Sequence, residues 1–252
     1  MTVVAIIQAR MSSTRLPGKV LKSASGRTML DRMLERVRRA GTVDQVILAT
    51  TTDPSDDVIV RACRRYGTEI FRGSLPDVLD RYYQAAKRYQ ADTIVRLTGD
   101  CPLIDPVLID DVVRALLENG VDFACNRLPP PFSRTFPIGL DVEVCTFAAL
   151  ETAWLRAEQK HEREHVLPYL YTEPGRFKVL QINYSEDLGQ LRWTLDTPED
   201  LVLLRRIYRH LEGRNDFSWL EVLELWRKKP ELFKVNVLVK HKTYLESEAE
   251  RK

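Results

Sequence analysis

Short apolar runs alternate with helix-spaced segments along the first half of this chain, and that rhythm restricts its fold more than any other feature. Residues 3–7 form a continuous apolar run rich in β-branched side chains, which suits a buried strand of a parallel sheet. A polar loop follows to about Gly26, and then Met29, Leu30, Met33, Leu34 and Val37 fall at helical spacing among arginines, predicting a helix over 29–40. The pattern repeats, with strands expected at 45–50, 68–71, 93–97 and 121–124 and helices at 55–66, 77–89 and 106–118. Asp56 and Asp57 suit a first helical turn, and Pro106 suits a first helical position. Parallel strands need long crossovers, usually helical, so the alternation predicts a doubly wound α/β sheet. Ligands of such sheets bind beyond the carboxyl ends of the strands. The loops that follow strands are therefore where chemistry is sought.

From Arg127 to Gly139 the rhythm breaks. Pro129, Pro130, Pro131 and Pro137 prevent regular helix and disfavour a ladder strand, which predicts a long loop feeding a strand at 140–144. Helices are expected at 147–159, 162–171, 198–211 and 218–227, and strands at 177–182 and 191–195, read as a pair. Residues 241–252 read as a charged tail.

Composition narrows the function. Lys plus Arg number 38 and Asp plus Glu 36, a net charge of +2 that calls for neither a nucleic-acid nor a membrane partner. No run approaches the roughly 18 apolar residues that span a bilayer, and the opening run is too short for a signal-peptide core. Cys63, Cys101, Cys125 and Cys145 are widely spaced and read as reduced thiols of a cytoplasmic protein.

The first candidate loop runs Gln8-Ala9-Arg10-Met11-Ser12-Ser13-Thr14-Arg15-Leu16-Pro17-Gly18-Lys19. Backbone N–H groups of such a loop can form an anion nest, arginine offers a planar fork to phosphate oxygens, and lysine offers a compact charge. The loop fits neither the P-loop nor the dinucleotide pattern. A solvated surface loop is the plain alternative, and its place after the first strand favours phosphate binding. Asp100, after Gly99, and Asp196, before Thr197-Pro198, also leave strands. Two carboxylates from separate loops suit one Mg²⁺ held against substrate phosphates. Read alone, Asp196 is more readily a helix cap, and Asp100 could be a turn residue.

These segments, in this order, resemble the cytidylyltransferases that activate 2-keto-3-deoxy sugar acids. The opening loop, Thr98-Gly99-Asp100-Cys101-Pro102-Leu103-Ile104 and Asp196-Thr197-Pro198-Glu199-Asp200-Leu201 look like the family's nucleotide loop and its two metal-bearing motifs. Phe71-Arg72-Gly73-Ser74, Gly139-Leu140-Asp141-Val142-Glu143-Val144 and His161-Glu162-Arg163-Glu164-His165-Val166 suggest the branch of the spore-coat polysaccharide biosynthesis protein F. The resemblance implies a three-layer α/β/α sandwich of the nucleotide-diphospho-sugar transferase type. It implies a single domain over 1–240 with an acceptor-side insertion at about 127–185, and a homodimer. It also implies attack of a sugar hydroxyl on the α-phosphorus of a nucleoside triphosphate, CTP being favoured. Arg10, Lys19 and Asp100 would be catalytic. Gln8, Ala9, Arg10, Ser12, Arg15, Lys19 and Thr98 would bind nucleotide, and Asp100 and Asp196 would hold Mg²⁺. Thr98 and Cys101 depart from the glutamine and glutamate usual in the octulosonate enzymes.

Arg134, Asp141, Glu143 and His165 are the candidates for an acidic acceptor sugar. Alternation puts Asp141 and Glu143 on one strand face, either lining the cleft or facing water, and Arg134 suits a sugar carboxylate. His161-Glu162-Arg163-Glu164-His165 also fits the zinc-hydrolase pattern, with Pro168 limiting its helix. Three rivals to the Mg²⁺-dependent transferase thus stand: a glycosyltransferase of the same broad fold, a zinc hydrolase at His161 and His165, and a nucleotide-binding module without turnover.

Overall fold

The computed structural model describes residues 1–129 and 134–240; Pro130, Pro131 and the tail from residue 241 lie outside the described residues. Along the chain, β1 (Val3–Gln8) is followed by a hairpin of β2 (Ser23–Ala24) and β3 (Arg27–Thr28), then α1 (Met29–Val37), β4 (Gln45–Thr51), α2 (Asp57–Arg65) and β5 (Glu69–Gly73). Next come α3 (Val78–Arg88), β6 (Thr93–Thr98), α4 (Pro106–Asn119), β7 (Phe123–Cys125), β8 (Glu143–Thr146) and α5 (Phe147–Arg156). The chain continues through α6 (Lys160–His165), α7 (Pro168–Tyr171), β9 (Val179–Gln181), α8 (Pro198–His210) and α9 (Trp219–Lys228).

Side chains alternate across β1, and both faces are covered. Val3, Ala5 and Ile7 join a core shared with α1, α4 and α8, while Val4 and Ile6 join one shared with α3 and α5. Each such Val or Ile, fully withdrawn from water, contributes about 1.5–3 kcal/mol. That double burial is why the first run lacks polar residues. It is also what makes the fold the three-layer α/β/α sandwich expected from the sequence.

The seven-stranded sheet runs β5-β4-β1-β6-β8-β7-β9. β1 pairs in parallel with β4 on one side and β6 on the other. The chain builds outward through β4 to β5 and then crosses back to lay down β6, so the strand order reverses between β1 and β6. A ligand crevice is expected at that point, beyond the strands' carboxyl ends. Among the described residues no helix is long and apolar enough to cross a membrane.

Four expectations change. The strand expected at 140–144 begins at Glu143 and pairs antiparallel with both β6 and β7, so the sheet is mixed. The expected pair 177–182 and 191–195 does not form: β9 lies parallel to β7, and 191–195 contributes only the bridge Ile138–Arg192. The helix expected at 162–171 breaks into α6 and α7, because Val166 takes a positive φ of 77° that no helix tolerates. The helix expected at 147–159 ends at Arg156, where Ala157 turns extended.

Candidate active site

Gln8 and Thr98 pair at the carboxyl ends of β1 and β6, and a cleft of about 590 Å³ opens there. Gln8, Ala9, Arg10, Ser12, Arg15, Lys19, Thr98, Asp100, His165 and Asp196 all line it. Segments up to 188 residues apart in sequence are thus brought to one place, from Gln8 to Asp196.

The cationic loop is pinned at its start. Met11 N donates to buried Asp56 (2.7 Å), which also accepts from Thr50 Oγ1 (3.1 Å) and Thr51 N (3.2 Å) at the end of β4. Ser13 N and Gly18 N both donate to Met11 O, at 2.9 and 3.0 Å, which closes the loop on itself. Gly18 sits in the left-handed region, with φ of +65°. That turn delivers Lys19 into a single 3₁₀ turn, Lys19–Leu21.

Lys19 Nζ donates to Asp100 Oδ2 (2.5 Å) and to Asp196 Oδ1 (2.7 Å). Arg15 Nη2 reaches Asp196 Oδ2 at 3.0 Å. The two aspartate loops are tied through backbone: Leu195 N (2.8 Å) and Thr194 Oγ1 (3.1 Å) both donate to Asp100 O. Behind Asp196, Arg192 donates to Asp196 (2.9 Å) and bidentately to Asp200 (2.9 and 3.0 Å), which has no exposure to solvent. The cap of α8 is Thr197, which accepts from Asp200 N, while Asp200 accepts from the backbone N of Asp196 and Thr197. Asp196 is therefore released from capping and presents its carboxylate to the cleft. Burial opposes its ionisation, but Lys19, Arg15 and Arg192 hold its carboxyl down at about 2. Burial likewise opposes the charge of Lys19, and the two aspartates outweigh it and hold the amine above its usual value. Two carboxylates converging on one cationic point suit Mg²⁺, which usually takes few protein ligands and completes its shell with water and phosphates.

Gly99 lets these loops meet. Its N–H donates to Gln8 O at 2.8 Å, and a Cβ there would lie 2.9 Å from that oxygen and 3.0 Å from Ala9 Cβ. Gly99→Ala is expected to destabilise the protein by about 1–3 kcal/mol, the usual strain of overpacking. An unchanged urea midpoint would contradict that close approach.

The acceptor candidates divide. His165 lines the cleft, whereas Arg134, Asp141 and Glu143 are not on its wall. Arg134 does not stand ready for a sugar carboxylate, because it is paired bidentately with Asp141. Glu143 is buried and ion-paired with Arg96, and Arg127 lies 3.8 Å from Asp141 and 3.9 Å from Glu143. Sequence reading passed over Arg96, Arg81 and Lys160, which do line the cleft. A cation within the apolar run of β6 was the available signal for Arg96. Burial, reinforced by Arg96 and Arg127, lowers the His165 imidazole to about 4 and leaves it neutral near pH 7. In the zinc-like motif, Glu162 Oε2 accepts from Gln159 N at 3.1 Å as part of the capping box of α6. The carboxylate that a zinc hydrolase would use on water is engaged as a cap.

A family model described as cytidylyltransferase matches residues 4–228. An uncharacterized protein of Methanocaldococcus jannaschii is 40% identical over 250 residues, covering 98% of this chain and all of that protein. The spore coat polysaccharide biosynthesis protein SpsF of Bacillus subtilis is 33% identical over 233 residues, 90% of this chain and 94% of SpsF. The 3-deoxy-manno-octulosonate cytidylyltransferase of Pelobacter propionicus is 38% identical, with 85% of this chain and 100% of that enzyme covered. Among solved structures, a cytidylyltransferase from Leptospira borgpetersenii superposes with a TM-score of 0.88 at 37% identity, covering 96% of this chain and 100% of its own. Matched over most of its length by both the family model and these relatives, the chain belongs to the cytidylyltransferase family.

Proposed function

We propose that this protein transfers CMP from CTP to a hydroxyl of an acidic sugar, with Mg²⁺ and release of pyrophosphate, in the making of a surface polysaccharide or glycan. One observation carries the reading: Arg10, Arg15 and Lys19 share a cleft with Asp100 and Asp196 at the switch point of the sheet. The relatives' names, one a polysaccharide biosynthesis protein and one an octulosonate cytidylyltransferase, support the substrate class.

The work of the protein in such a reaction is positioning and charge neutralisation. Arg10, Arg15 and Lys19 hold the triphosphate, the two arginines by forked hydrogen bonds and the lysine as a point charge. Ala9, Leu75, Pro76 and Val78 give the cleft an apolar wall for the base. Asp100 and Asp196 would hold Mg²⁺. Bound there, the ion would polarise the α-phosphate and offset charge on the leaving pyrophosphate. Lys160 places positive charge on the wall it shares with His165, where it would meet an acceptor carboxylate. Neutral His165 serves the sugar as a hydrogen-bonding group. Direct in-line attack by the sugar hydroxyl on the α-phosphorus forms the new P–O bond as pyrophosphate leaves.

The test is pyrophosphate release from CTP with a 2-keto-3-deoxy sugar acid, set against the same sugar with its carboxylate converted to an amide. Release with the acid and little with the amide is expected. Equal release with both would remove the acidic acceptor. Release of nucleoside diphosphate from a nucleotide sugar would replace the reading with a glycosyltransferase.

A further inference from the structure

Lys19 lies between Asp100 and Asp196, the two carboxylates offered above for a divalent cation. Its ammonium bridges Asp100 at 2.5 Å and Asp196 at 2.7 Å, and all three side chains are largely withdrawn from solvent, at 13%, 23% and 12% exposure. Lys19 is the cation that the two carboxylates share, while Arg15 and Arg192 also pair with Asp196. A dication placed between them would replace the charge that Lys19 supplies and free the ammonium. The backbone at Lys19 is held by the 3₁₀ turn after Gly18, so the movable part is the flexible four-carbon stem of the side chain. The same cleft presents Arg10 and Arg15, which mark where the phosphates of a triphosphate would lie.

We propose that Lys19 is a place-holder for the metal: its ammonium and a divalent cation occupy the Asp100–Asp196 site in turn, and an incoming triphosphate draws the ammonium away and opens the site. The inference rests on the nucleotidyltransferase reading of the cleft. A metal ion arriving alone must break two charge-assisted hydrogen bonds and take from Lys19 both carboxylates it pairs with. A metal ion arriving with a triphosphate leaves Lys19 a phosphate to pair with. Metal and nucleotide therefore bind with positive coupling, and by reciprocity each raises the affinity of the other. The arrangement also keeps two neighbouring carboxylates from repelling one another while the cleft is empty of substrate.

The experiment is a Mn²⁺ titration of the full chain without nucleotide, followed by electron paramagnetic resonance, for wild type, Lys19→Met and Lys19→Gln. Removing the ammonium should tighten Mn²⁺ binding by about tenfold, within the usual range of coupling between sites. The same variants should bind CTP more weakly. These opposite movements separate the proposal from misfolding, which weakens both. Adding Asp100→Asn to Lys19→Met should abolish the gain. Variants that bind Mn²⁺ no more tightly than wild type would overturn the place-holder. Failure of wild type with Mn²⁺ to bind any triphosphate would instead overturn the functional reading, because the Lys19 comparison uses metal alone.

Discussion

Asp100→Asn is expected to lower kcat for pyrophosphate release by about 10²–10³-fold, the scale of losing one preorganised electrostatic contact to the transition state. The amide keeps the shape of the carboxylate and removes its charge. The backbone carbonyl of residue 100, which accepts from Leu195 N and Thr194 Oγ1, is untouched, so the two loops stay tied. The unfolding midpoint should accordingly stay near that of wild type. Steady-state rates at saturating Mg²⁺ and CTP, with a urea melt beside them, check both halves. A rate within a few-fold of wild type would remove Asp100 from the catalytic set.

The largest expected effect on stability is at Arg192. Its guanidinium is 4% exposed and pairs Asp196 and Asp200, the second with no exposure at all. Arg192→Met keeps the volume of the stem and strands a buried carboxylate. Breaking one side of a buried pair this way costs about 3–5 kcal/mol. Asn236 Nδ2 donates to Asp200 Oδ1 (2.8 Å) and to Arg192 O (3.0 Å), so the chain beyond α9 should loosen with it. Asp200→Asn added to Arg192→Met should recover part of the loss, because the stranded charge is gone. Urea denaturation of the two variants decides the point, and a loss under about 1 kcal/mol for Arg192→Met would show that the pair is dispensable, as exposed ion pairs are.

The parallel half of the sheet was legible because local chemistry states it. β1, β4 and β6 are short and apolar, and the helices between them carry their apolar residues at helical spacing. The cationic loop and Asp100 were placed for a related reason: each follows a strand, β1 and β6, so placing the strands placed the residues, whereas Asp196 follows a segment that makes only a bridge. What escaped the sequence depends on distant partners. The direction of β8 is set by β6 and β7 on either side, and nothing within 143–146 encodes it. Arg134 and Asp141 look alike as free acceptor ligands in sequence, yet the loop return between them makes them partners. Taken alone, Asp196 passed for a cap, a task that Thr197 and Asp200 share. Val166 carries a positive φ that its β-branched side chain disfavours, so no propensity foretold the break between α6 and α7.

Calorimetric titration of the wild-type chain with CTP, GTP, ATP and UTP in the presence of Mg²⁺ decides whether the cleft is a CTP site. Saturable binding of CTP is expected, with weaker binding of the other three and loss of CTP affinity in Arg15→Ala, whose guanidinium lines the cleft beside Asp196. Equal affinity for all four triphosphates, or binding of none, would contradict a CTP site.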